Sequence, residues 1–280
     1  MTRLRGITGE IDFSWVLEEL KPRRDFGGKL VYITGMQGAG KTTLMAKLAD
    51  VFGLRYHMRV LWRGIPKGQV FKYVLAPKII LIHELLSELR PYEVRETTFA
   101  ELSWHDLPGV EAVEQFSTPE ELEGLALQHS DVVFVVYMPR EVWREFLTNW
   151  PTWRQYAYWA AVFIDEFEHI APHHPRGELW STLLDVADGL AEFRKTDTYM
   201  IASSQQPKDV FYLVRDKFQY RIVLKGTKLE DSITGLSQRA VDALQQGEAI
   251  IYCGLFYLFN FKPIKPLIDF DVAVRAKALF

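Results

Sequence analysis

The clearest chemistry in this sequence lies in Gly35-Met36-Gln37-Gly38-Ala39-Gly40-Lys41-Thr42, which fits the pattern G-x-x-x-x-G-K-[ST]. In such a loop the glycines let backbone N–H groups wrap a phosphate, with Gln37, Gly38 and Ala39 lending their amides. A helix starting at the end of the loop adds the positive end of its dipole. Lys41 would reach the β and γ phosphates of a nucleotide, and the Thr42 hydroxyl would face Mg²⁺. Thr43 offers a second hydroxyl, either to the α phosphate or to the helix as a cap.

The second group is Asp165-Glu166, which follows the apolar run Ala160-Ala161-Val162-Phe163-Ile164. A buried strand would deliver both carboxylates to the carboxyl edge of a sheet, where ligands bind in α/β folds. With a phosphate loop nearby, Asp165 is the candidate metal ligand. Glu166 is the candidate base that polarises an attacking water, a pairing that points to ATP hydrolysis. Taken alone, Asp165 as a helix cap and a solvated Glu166 would be the plainer reading. A third element, Tyr199 to Pro207, is an apolar strand that ends in Gln205-Gln206.

These groups need a frame, and the chain supplies alternating strands and helices. Leu30–Thr34 reads as a buried strand entering the glycine loop, and Leu44, Leu48 and Val51 recur at helical spacing after it. Gly53 stands where that helix would stop. Val60–Trp62, Val132–Met138, Ala160–Ile164, Tyr199–Ser203 and Arg221–Leu224 are further strand candidates. Most are continuously apolar, which implies strands covered on both faces, a mostly parallel sheet and an α/β fold. Glu248–Cys253 and Leu255–Phe261 predict a hairpin at the sheet edge. Between Arg63 and Gln128, five prolines (66, 77, 91, 108 and 119) predict an irregular insertion. Inside it, Thr118-Pro119-Glu120-Glu121 has the form of a helix start.

In this order the motifs resemble the FtsK/HerA superfamily of DNA-pumping ATPases. Gln205 and Pro207 match the end of that family's sensing strand. Arg221-Ile222-Val223-Leu224, Asp231-Ser232 and Leu244 to Glu248 resemble its arginine-bearing strand, Asp-Ser turn and late glycine segment. The resemblance runs from Gly35 to Glu248. It implies a RecA-like P-loop NTPase: a mostly parallel central sheet flanked by helices, with a C-terminal antiparallel edge. It also implies one motor domain over residues 1–280, with a short leader (1–28) and an insertion (63–128). ATP and Mg²⁺ would be its cofactors. Gln205 would sense the γ phosphate, and Arg221 would reach a neighbouring subunit's nucleotide, with Arg194, Arg215 and Arg239 as competitors. Family members commonly carry an arginine directly after the Asp-Ser pair, where this chain has Ile233. With so little chain before Gly35, the sequence looks like a stripped motor, similar to viral genome-packaging ATPases. It would act as a ring, a hexamer, that threads double-stranded DNA through pore loops, with a capsid or membrane protein as a further partner. The alternative is a HerA-like or zonula occludens toxin-like ATPase driving helicase or assembly remodelling without DNA pumping.

Composition sets limits on these readings. The chain has 280 residues, 48% hydrophobic and 25% charged, enough for a substantial core. Its formal net charge of -3 excludes a global basic field, so any DNA contact must be local. Arg59, Arg63 and Lys67 read as a solvated basic edge or a DNA-facing patch. Cys253, the lone cysteine, excludes an internal disulfide and reads as core. No signal peptide and no spanning stretch is visible, so the expectation is a soluble, cytoplasmic protein, virion-associated if viral. The aromatic stretch Trp143, Phe146, Trp150, Trp153, Tyr156, Tyr158 and Trp159 reads as core before stacking platform. His173-His174 lacks the spacing of a metal motif.

Overall fold

The computed structural model describes residues 6–23, 27–96, 98–129, 131–153, 160–193, 195–229 and 235–276. In chain order the strands are β1 (Gly9–Ile11), β2 (Leu30–Thr34), β3 (Arg59–Arg63), β4 (Lys78–His83), β5 (Leu89–Arg95), β6 (Thr98–Glu101) and β7 (Val110–Phe116). They continue as β8 (Val133–Tyr137), β9 (Ala160–Ile164), β10 (Thr198–Ser204), β11 (Tyr220–Leu224), β12 (Glu248–Tyr252), β13 (Phe256–Asn260) and β14 (Asp271–Ala276). β2, β4, β8, β9 and β10 are buried at every position. Such strands have both faces covered, as their apolar runs require. The architecture is α/β, with mostly parallel sheets, flanking helices and a small antiparallel sheet. The chain divides into two compact units, 1–44 with 164–263, and 45–163 with 264–280.

In the first unit the strand order is β1-β13-β12-β11-β2-β10. β2 runs parallel to β10 and β11, and its Thr34 stands opposite Ser204 and Val223. The carboxyl ends of three strands therefore arrive together where the glycine loop begins. β12 and β13 form the expected antiparallel hairpin, and the short β1 adds in parallel outside it. The helix Glu178–Phe193 buries Leu183, Val186, Ala187, Leu190 and Phe193, one stripe at helical spacing. Cys253 is half-buried beside the hairpin turn and not a core residue, because the turn Cys253 to Leu255 leaves the sheet.

In the second unit the order is β9-β3-β8-β4-β7, all parallel, and β14-β5-β6 forms a separate antiparallel sheet. The expectation of irregular chain between Arg63 and Gln128 is corrected here, because β4 and β7 belong to the parallel sheet. Most of the prolines bound elements and do not break them: Pro77 precedes β4 and Pro119 opens the helix Pro119–Gln128. That helix is capped as its sequence predicts, with Glu121 N donating to Thr118 Oγ1 at 3.3 Å. The helix Lys41–Asp50 passes through Gly53 as a wider turn over Val51–Arg55, with Tyr56 N on the Val51 carbonyl at 3.0 Å. Phe52 is fully buried within this turn, and the reversal waits until His57, at φ +52. Arg63 is buried at the end of β3, which corrects its reading as a solvated edge, while Lys67 is exposed. Trp143, Phe146 and Trp150 are core residues of the helix Arg140–Trp153; Tyr156, Tyr158 and Trp159 lie outside the described residues.

Lys78 is fully buried, and its ammonium donates to the carbonyls of Val74 (2.7 Å), Ala76 (3.0 Å) and Pro108 (3.1 Å). Burial pulls its pKa down to about 8, against a smaller upward pull from Asp50.

Candidate nucleotide site

The glycine loop turns out of β2 with Gly38 at φ +78 and Gly40 at φ +99. A side chain at Gly40 would be strained there and would also meet the Phe261 ring at 3.1 Å. The loop leads into a helix whose bonding ladder is under way with Leu44 N on the Gly40 carbonyl at 2.9 Å. The first amides of such a helix suit an anion. Gln37 and Gly38 are exposed, Ala39 is buried, and Lys41, Thr42 and Thr43 are half-buried. The Lys41 ammonium folds back over its own loop, donating to the carbonyls of Gly35 (2.7 Å) and Met36 (3.2 Å).

Asp165 meets this loop directly. Thr42 Oγ1 donates to Asp165 Oδ2 at 2.9 Å, across 123 residues of sequence. The other oxygen, Oδ1, accepts from Ser203 Oγ and from Glu166 N at 3.0 Å. Asp165 is 5% exposed, and these donors fix its carboxylate on the hydroxyl of the loop.

Glu166 follows in a left-handed conformation, φ +53 and ψ +52. That conformation is uncommon for a residue with a side chain and costs on the order of 1 kcal/mol. Its carbonyl accepts from His169 N at 3.0 Å, and its Oε2 lies 3.4 Å from His169 Nδ1. Glu168, in the short helix Phe167–His169, holds a buried Oε2 with no hydrogen-bond partner among the described residues. Burial first, and then the charges of Glu166, Asp165 and Asp209, push its carboxyl up to about 7.

Gln205 is exposed, next to Ser204 at the end of β10 and so at the mouth of the loop. Arg221 lies within β11 opposite Tyr32, and its Nη2 donates to Asp216 at 3.3 Å. Of its competitors, Arg215 is buried and Arg239 exposed; Arg194, Asp231, Ser232 and Ile233 lie outside the described residues.

No protein-family model matches the sequence, and no curated protein matches it. Solved structures do. The genome packaging NTPase B204 of Sulfolobus turreted icosahedral virus 2, in complex with ATP-gammaS, is 14% identical; the match covers 85% of this chain and 98% of that one, with a TM-score of 0.46. The DNA-packaging ATPase B204 of Sulfolobus turreted icosahedral virus is 18% identical over 84% of this chain and 98% of that one, with a TM-score of 0.48. The N-terminal domain of zonular occludens toxin from Neisseria meningitidis is 11% identical over 85% and 96%, with a TM-score of 0.38.

The donor set at Thr42 and Asp165, a hydroxyl and a carboxylate already in contact, is the hard-oxygen chemistry that Mg²⁺ takes. Bound there beside a triphosphate, Mg²⁺ would supply charge neutralisation. Three further residues belong to this neighbourhood. Ser203 has no motif of its own, and only its hydrogen bond to Asp165 shows that it can orient that carboxylate. His169 and Glu168 were visible only as neighbours of Asp165-Glu166.

Proposed function

We propose that the chain is a Mg²⁺-dependent ATPase that translocates double-stranded DNA as a ring, hexameric by resemblance, in the manner of a genome-packaging motor. The observation that carries the hydrolytic part is the 2.9 Å contact between Thr42 and Asp165, which joins the loop to the acidic strand end in one site. In this reading the loop amides and Lys41 bind and orient the triphosphate, and Thr42 and Asp165 hold the metal. Ser203 keeps the Asp165 carboxylate turned toward it. Glu166 takes the proton of the attacking water. Its left-handed backbone sets it apart from Asp165, so that one carboxylate holds and the other acts. Gln205, exposed at the mouth, reads the γ phosphate. Arg221 is the finger offered to a neighbouring copy, once freed from Asp216. The motif order from Gly35 to Glu248 supports the translocase reading, and the net charge of -3 restricts DNA to local contacts.

The test is ATP turnover by the purified chain with and without double-stranded DNA. Hydrolysis that accelerates with DNA, and loses that acceleration at high salt, is the expected result. Turnover indifferent to DNA would reject the motor and leave an assembly or remodelling ATPase. No turnover at all would reject the site.

A further inference from the structure

Two glutamines that the proposed chemistry does not use grip one turn. The turn is Lys225 to Leu229, which follows β11. Gln206 Nε2 donates to the Gly226 carbonyl at 3.0 Å, and its Oε1 accepts from Lys228 N at 2.7 Å. Gln238, from the helix Gln238–Asp242, repeats the pattern one residue later. Its Nε2 donates to the Thr227 carbonyl and its Oε1 accepts from Leu229 N, both at 2.9 Å. Only one orientation of each amide satisfies both bonds, so donor and acceptor are fixed by the backbone they meet.

The turn in its own right holds the phosphate loop. Met36 N donates to the Lys225 carbonyl at 3.1 Å. Gly226 lies at φ +78, where a side chain would fall 2.5 Å from the Met36 sulfur, so the Met36 side chain lies against a backbone that only glycine leaves bare. Gln206 itself is anchored from behind: its N–H donates to Asp209 Oδ2 at 2.9 Å and its carbonyl accepts from Ser204 Oγ at 2.8 Å. It directly follows Gln205. The sequence of contacts runs from the end of β10, through the Gln206 amide, to the turn, and from the turn to the first peptide of the loop.

We propose that Gln206 and Gln238 clamp the Lys225–Leu229 turn so that it sets the phosphate loop for nucleotide, making Gln206 a positioning residue that ties the end of β10 to that loop. This rests on the nucleotide site proposed above. Because the clamp acts on the loop and not on the γ phosphate, it supports ATP and ADP alike. A γ-phosphate sensor would distinguish the two.

Gln206→Met keeps the side-chain length and removes both bonds; Gln206→Glu keeps the acceptor for Lys228 N and sets a second acceptor against the Gly226 carbonyl. Binding of fluorescent ATP and ADP analogues to the full chain is measured for both variants and for Gln238→Met. Hydrogen exchange of the segment 225–229 is followed alongside. The expected result is a dissociation constant raised about tenfold, equivalent to ~1.4 kcal/mol, for both nucleotides in each variant. Faster exchange of 225–229 should accompany it. The double variant Gln206→Met with Gln238→Met should fall short of the product of the single effects, since both act on one turn. Unchanged nucleotide affinity in either Gln206 variant overturns the clamp, as does a loss confined to ATP. If the unaltered chain binds neither nucleotide, the site itself has failed, which is a separate result.

Discussion

Replacing Glu168 with glutamine keeps the shape of the side chain and removes its charge, so the effect on stability should depend on pH in a defined way. Burial and three neighbouring carboxylates push the Glu168 carboxyl from an ordinary 4.5 up to about 7. Between those values the folded chain holds a proton that the unfolded chain has lost. Stability from this group is therefore complete below pH 4.5 and is lost as pH rises through about 7. At ~1.4 kcal/mol per pH unit, the whole interval corresponds to ~3 kcal/mol, an upper figure because water relaxes around half-buried groups. Glutamine resembles the protonated acid and does not ionise. Glu168→Gln should leave stability nearly unchanged at pH 4.5 and raise it by up to ~3 kcal/mol at pH 8. Urea unfolding at the two pH values measures the difference, and carboxyl carbon NMR follows the titration of Glu168 directly. A stability difference that is the same at both pH values would refute the reasoning, because a packing effect does not titrate.

Two further outcomes follow from named contacts. Glu166→Gln should still bind ATP while turnover falls by about 10² or more, the usual worth of a positioned base; normal turnover would remove Glu166 from that role. Lys78→Met should abolish a rise in stability of ~3 kcal/mol between pH 8 and 10.5, seen by urea unfolding of the two proteins across that range. The sign follows because the buried ammonium has its pKa lowered to about 8, so the unfolded chain binds more protons throughout the interval and gains nothing once both states are neutral.

What the sequence made legible was the chemistry written in consecutive residues and the burial written in consecutive apolar ones. The loop at Gly35 to Thr42 and the strands at 30–34, 160–164 and 221–224 are of this kind, because a strand covered on both faces needs no partner residue to be recognised. Within 63–128, β5 and β7 escape such a reading for the converse reason. β5 and β7 carry charges along half-buried strands, and prolines that punctuate elements look in sequence like prolines that break them. β1, with three residues, is too short to carry a period. In the candidate site the missing information was pairwise. Ser203 lies 38 residues from Asp165, and Gln206 lies 20 and 22 residues from the two groups it bonds in the turn. No spacing rule links them; for Gln206 the parallel register of β10, β2 and β11 does, bringing the ends of β10 and β11 to the same edge.

The left-handed turn at Glu166 shows how two adjacent acids come to differ. In a strand, successive side chains alternate in direction, so an extended chain would separate Asp165 and Glu166 to opposite faces. The reversal at φ +53 instead ends the strand at once and starts the short helix at Phe167. Asp165 stays buried under Thr42 and Ser203, while Glu166 remains half-exposed beside His169. A glycine at 166 would take this conformation at less cost, yet it would have no carboxylate to present. Glutamic acid in a conformation that favours glycine breaks a local rule here, as Glu96 does at φ +50 after β5, and at position 166 it keeps a carboxylate at the end of β9 that glycine would remove.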